Sequence, residues 1–183
     1  NRALTEAFEV LQNRYNAGGG VTGLATGYTE FDEMTAGLQP TDLLILAGRP
    51  AMGRTALATK IAFSAARALM REHPLASLVS TDDEGFPFVT HLPLHAQERG
   101  DTLVLLGHCA RPNPHWRYLQ ARREALVTFM GPQAYLSPSV YPDLARVPTW
   151  NYLAVHCRVQ ASLVEEPPAK AALLKQLIGD HEP

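Results

Sequence analysis

The stretch WNYLAVHCRVQASL, Trp150–Leu163, decides the fold. Leu153, Val155, Cys157, Val159, Ala161 and Leu163 fall on one side of an extended chain. Tyr152, His156, Arg158 and Gln160 fall on the other. A period of two is that of a strand with one face in a core, because successive side chains point to opposite faces. Working outward, residues 76–81, 86–94, 102–109 and 124–130 read as further strands. Asp82-Asp83-Glu84-Gly85 reads as a hairpin turn between the first two. Helical segments are expected from about Pro114 to Ala121 and from about Pro168 to Ile178. Five strands with few helices predict a small antiparallel barrel.

The first third of the chain has another texture. Leu4, Phe8, Leu11 and Tyr15 share one helical face, and Gly18-Gly19-Gly20 ends that helix. Thr29 with Asp32 reads as a capping box opening a short helix that Gly37 closes. Asp42–Ala47 reads as a buried strand, and Thr55 to about Glu72 as one long helix stopped by Pro74. Leu57, Ile61, Ala65 and Leu69 face inward on that helix. Between strand and helix lies GRPAMGRT, Gly48–Thr55, which fits the phosphate-loop pattern G-x-x-x-x-G-K-[ST] except at Arg54. Such a loop cradles phosphates with backbone N–H groups at a helix start, and a hydroxyl at Thr55 suits Mg²⁺. Arginine keeps the charge of the usual lysine but is larger and planar. ATP and Mg²⁺ are therefore not expected to be turned over here.

Composition narrows the classes. The chain has 183 residues, 46% of them hydrophobic, with a net charge of −2. That suits a packed core and gives no basic field for nucleic acid. Cys109 and Cys157 are the two cysteines, without C-x-x-C spacing, so a cytoplasmic, reducing setting is expected. No apolar run reaches membrane-spanning length, so no membrane contact is expected. His91, His108, His115 and His156 raise a metal reading, but no H-x-x-H or H-E-x-x-H spacing supports it, and no metal site is expected.

Two resemblances account for the two textures. The run from VTGLATGYTEFDEMTAGL through AGRPAMGRTALA resembles the replicative DNA helicase family. That likeness covers residues 1 to about 67 and implies a linker helix and nucleotide loop, with Gly48, Gly53, Arg54 and Thr55 at the nucleotide positions. From about residue 68 to 183, HPLASLV, THLPL, GHCARPNPHW, GPQAYLSPSVYP and VPTWNYLAVH together resemble the PaiB family. Its members are labelled FMN-binding negative transcriptional regulators. The expectation is an α+β chain, an FMN-binding split β-barrel preceded by a helical and strand–loop–helix fragment.

The PaiB resemblance implies a homodimer with flavin mononucleotide at the subunit interface. In GHCARPNPHW, Asn113 suits an N-cap and Pro114 the first helical position, which favours an anion beside Arg111. His108, His115 and His91 are candidate partners for the same cofactor. Gln133, Tyr135 and Ser137 are candidates for the ring edges or ribityl hydroxyls. Trp150 and Tyr152 suit either flavin stacking or interface packing. Three functions stay open: a PaiB-type FMN-binding module, a flavin-dependent oxidoreductase, and an ATP-binding helicase fragment. A haem alternative stays open because related barrels bind haem. A DNA partner rests on the family label alone.

Overall fold

In the computed structural model, residues 20–39, 54–100, 102–141 and 147–179 are described. The expected helix over residues 3–15, the strand over 42–47, and Gly48 and Gly53 lie outside the described residues. The chain divides into two compact units, Asn1–Ala68 and Leu69–Pro183.

In the first unit, α1 spans Thr29–Thr35 and α2 begins at Arg54 and runs to Glu72. The capping box expected at Thr29 is not what opens α1. Tyr28 is its N-cap and makes no side-chain bond. Asp32 instead reaches further back. Its Oδ1 accepts from Thr26 N (2.8 Å) and Thr26 Oγ1 (2.7 Å), and its Oδ2 from Gly27 N (3.1 Å). Burial alone would raise the Asp32 pKa, but these bonds and nearby Lys60 outweigh it and hold the carboxyl below its usual value. The helix closes through Ala36 and Gly37, both at positive φ, with N–H groups of both returning to Asp32 O.

The second unit is built on six strands rather than five. They are β1 Leu75–Thr81, β2 Pro87–Pro93, β3 His95–Arg99, β4 Thr102–Leu106, β5 Glu124–Leu136 and β6 Thr149–Gln160. Two more helices, α3 His115–Ala121 and α4 Pro167–Gly179, complete it. One antiparallel sheet has the order β2-β1-β5-β6, and β3 pairs with β4 in a second. This is the α+β split-barrel class that the sequence implies. The missed strand is β3, whose HAQER sequence carries no apolar alternation. β5 runs six residues beyond its expected end, through an irregularity between Met130 and Gln133. There Gly131 lies so close to Leu69 Cδ1 that a Cβ would stand 2.7 Å from it.

The core follows the alternation. Ala76 and Leu78 of β1, Leu92 of β2, and Val127 and Phe129 of β5 are buried with Leu69, Met70, Leu94 and Leu119. Val155, Cys157 and Val159 of β6 pack against them, the face read from the sequence. At the β1–β2 hairpin, Asp82 Oδ1 accepts from Glu84 N and Phe86 N, and Gly85 takes φ +87°. Arg122 clamps the same turn through Thr81 O, Asp82 O and an ion pair with Asp83 at 2.9 Å.

Candidate functional site

β2 is an edge strand, and the segment 107–113 is tied to it at two points. At one end Gly107 sits against Leu92, Leu94 and Pro93 O, where a side chain has no room. At the other, Asn113 Nδ2 donates to Thr90 Oγ1 at 3.1 Å. Between them His108 and Arg111 are exposed, and Arg111 O accepts from Trp116 Nε1 at 3.2 Å. β4 therefore ends at Leu106, three residues before its expected end, because 107–110 belong to this loop.

The expected N-cap shifts by one residue: Pro114 holds that position without a side-chain cap bond, and Asn113 Oδ1 accepts from His115 N at 3.0 Å from just outside the helix. The helix is short, with seven residues starting at His115 rather than Pro114. Asn113 thus spends both ends of its amide on holding the loop.

His115 is not available to a ligand. Its side chain is 0% exposed, against the expectation of a cofactor contact. Nδ1 lies 2.7 Å from Thr90 Oγ1 and Nε2 lies 2.8 Å from Ser80 Oγ. The rings of Phe88 and Tyr118 flank it. Burial pushes its pKa below the ordinary histidine value, so the ring is neutral at neutral pH. Ser80 and Thr90, which hold it, lie on the inward rows of β1 and β2.

The other histidines do not converge. His91 is exposed on the outer face of β2, with Nδ1 3.0 Å from Ser77 Oγ. His156 stands on the same face of β6, opposite Thr128, and Thr128 stands opposite Ser77. Ser77 and Thr128 thus separate the two histidines in one row.

Gln133 and Tyr135 lie on the far end of β5, opposite Tyr152 and Trp150 of β6. Tyr135, Trp150 and Tyr152 are 53%, 58% and 63% exposed, and the Tyr135 and Trp150 rings meet at 5.8 Å. A hollow of about 430 Å³ opens beside Gln133, Trp150 and Tyr152. Ser137 is turned elsewhere: its Oγ accepts from Ser139 N and caps the 3₁₀ turn Pro138–Val140. Thr90 stands opposite Leu78, and Leu78 opposite Val127. Gln133 lies six residues beyond Val127, roughly 20 Å along the strand. The ribityl chain joining a flavin ring to its phosphate is much shorter.

In the first unit an open cavity of about 600 Å³ lies along α2, lined by Thr26, Thr55, Thr59, Lys60, Phe63 and Arg67 among others. Thr55 is exposed there, and Lys60 Nζ sits 3.8 Å over the Tyr28 ring. Among the described residues no helix is long and apolar enough to cross a membrane.

The β2-β1-β5-β6 sheet with its β3–β4 partner pair belongs to the small split-barrel class of fold. The profile described as "Putative FMN-binding domain" matches residues 59–183, and the chain belongs to that family. The DnaB-like helicase C-terminal domain profile matches residues 23–86, so the two matches overlap across α2 and β1. Protease synthase and sporulation protein PAI 2 of Bacillus subtilis is 42% identical over 97 residues, 53% of this chain and 46% of that protein. Replicative DNA helicase DnaC of Bacillus subtilis is 46% identical over 59 residues, 32% of this chain and 13% of that protein. Replicative DNA helicase DnaB of Haemophilus influenzae is 48% identical over 63 residues, 34% of this chain and 13% of that protein. The chain thus spans about half of the first relative and a small part of the helicases. A solved structure titled as a "putative 5-nitroimidazole antibiotic resistance protein" of Bacteroides thetaiotaomicron superposes with TM-score 0.48 at 18% identity. It covers 64% of this chain and 65% of that one.

Proposed function

We propose that the chain is a PaiB-type flavin mononucleotide-binding module that works as a homodimer. In this reading the phosphate lies at the 107–113 loop beside Arg111, with His108 near by; His91, on the opposite face of β2 with Ser77, takes no part. The ring lies on the ribbon of Gln133, Tyr135, Trp150 and Tyr152 from a second copy. What supports it is the register: the loop meets β2 at Thr90, and Gln133 lies six residues along β5 from Val127 of the same cross-strand row, about 20 Å in a regular strand, which favours a site shared between two copies. The exposed aromatic ribbon is a surface of the kind that a partner covers. The residues present fit the cofactor: a cation on an ordered loop for the phosphate, and aromatic faces for the ring. A regulatory role, as the family label implies, is the natural outlet for a binding module.

Flavin fluorescence quenching tests this. A charge-assisted bond is worth about 1.5–3 kcal/mol, so Arg111→Ala should weaken FMN binding roughly 10- to 150-fold. Lys175→Ala, on exposed α4, should leave it unchanged. Riboflavin, which lacks the phosphate, should bind weakly and respond little to Arg111→Ala. Equal affinity for FMN and riboflavin would remove the phosphate site. A monomer by light scattering with FMN bound would remove the two-copy site.

For the helicase-like segment we propose that ATP is not hydrolysed. Arg54 stands where a compact lysine charge serves the outer phosphates. Phosphate release with Mg²⁺ and single-stranded DNA clearly above a Thr55→Ala control would overturn that.

A further inference from the structure

The 107–113 loop is set by a closed ring of hydrogen bonds that the sequence reading did not contain. Asn113 Nδ2 donates to Thr90 Oγ1 at 3.1 Å. Thr90 Oγ1 lies 2.7 Å from His115 Nδ1. The His115 backbone N–H returns to Asn113 Oδ1 at 3.0 Å. His115 Nε2, at 2.8 Å from Ser80 Oγ, fastens the ring to β1. We propose that Thr90, backed by the buried His115 and Ser80, is the positioning residue for the phosphate loop, through its hold on Asn113. This rests on the phosphate-loop reading given above and names the residue that orders it.

The chemistry supports one arrangement. Asn113 Nδ2 is a donor, so Thr90 Oγ1 accepts there. The Thr90 hydroxyl hydrogen then serves His115 Nδ1, which puts the ring proton on Nε2, toward Ser80 Oγ. That tautomer is assigned from the bonding pattern. Thr90 and Ser80 lie on the inward rows of β2 and β1, on strands paired over seven residues. A loop fixed to such a platform meets an anion with its donors already placed, so less ordering opposes binding. The groups in contact with the ring from each element are Ser80 on β1, Thr90 and Phe88 on β2, and Tyr118 on α3. None carries charge at neutral pH, so the ring acts by bonding and shape alone. Thr90 touches no ligand in this scheme. It acts through Asn113, and Asn113 through the loop backbone that carries Arg111.

The test compares FMN with riboflavin affinity in the unmodified chain, Thr90→Val and Thr90→Ser. Valine keeps the shape and removes the hydroxyl; serine keeps the hydroxyl. The unmodified chain should prefer FMN. Thr90→Val should lose about 3- to 10-fold in FMN affinity, the worth of one neutral hydrogen bond, and leave riboflavin affinity unchanged. Thr90→Ser should return FMN affinity to within about twofold. A purely structural role would move both ligands together, or neither. An FMN-to-riboflavin preference in Thr90→Val undiminished from that of the unmodified chain overturns the positioning role and leaves the phosphate-loop reading standing. No FMN preference in the unmodified chain overturns both. Amide exchange on the unmodified chain decides independently of whether the variants fold. The His115 N–H, held by Asn113, should exchange more slowly with FMN than with riboflavin, and equal rates would overturn the proposal.

Discussion

Replacing His115 with phenylalanine isolates what the buried hydrogen bonds contribute to the barrel. The ring volume is nearly kept, and the edge contact with Phe88, at 5.1 Å between centroids, can persist. Two polar contacts vanish. Ser80, 6% exposed, loses its bond to Nε2, and a buried hydroxyl left without a partner costs about 1–3 kcal/mol. Thr90 keeps Asn113 and loses about 0.5–1.5 kcal/mol. The sum is about 1.5–4.5 kcal/mol. Both tryptophans, Trp116 and Trp150, lie in the second unit, so their fluorescence follows that unit alone through a urea titration. With a slope of about 1–3 kcal/mol/M, the midpoint should fall by at least about 0.5 M. Ser80→Ala combined with His115→Phe should recover part of the loss, because replacing both partners by apolar groups removes the orphaned hydroxyl. A His115→Phe midpoint within about 0.2 M of the unmodified chain would refute the reasoning. So would strict additivity in the double variant.

The same histidine makes stability pH-dependent. Its folded pKa is lowered below the unfolded value of 6.5, so above 6.5 neither state is protonated and it contributes no slope. As pH falls below 6.5 the unfolded chain gains the proton first, and stability drops until the folded pKa is passed. The urea midpoint should therefore fall more between pH 7.5 and 5.5 in the unmodified chain than in His115→Phe, and parallel profiles would contradict this. Gly107→Ala should destabilise the second unit by about 1–3 kcal/mol through overpacking, because its Cβ falls inside contact distance of Leu94 Cδ2. It should also weaken FMN more than riboflavin, and an unchanged thermal midpoint would show that Leu94 moves aside.

Legibility followed the local signals. The alternation of β6 and the Asp82–Gly85 turn were readable because one face is buried and the turn chemistry is local. The strand β3 was not, because His95-Ala96-Gln97-Glu98-Arg99 pairs on backbone bonds with little apolar contrast. The extension of β5 past Gly131-Pro132 was not, because those residues signal a break where the chain makes an irregular step and continues. At the site, motif spacing brought out Asn113 and Arg111 but could not separate a ligand contact from a structural bond. His115 and Asn113 look alike in GHCARPNPHW. Only the placement of Thr90 and Ser80, far away in sequence, shows that both are used inside. Asp32 was mispaired with Thr29 for a similar reason: Thr26 and Gly27 offered three N–H and O–H groups to one carboxylate.

The segment tied along β2 also bears on solubility. β2 ends its sheet, and an end strand with free backbone groups is a template on which other chains add by strand pairing. The 107–113 segment lies beside that border, fixed at Leu94 and at Thr90. A sequence change that frees it would lay the border bare. On the flavin-binding proposal, precipitation would then accompany a loss of FMN affinity, and the two failures would share one physical origin.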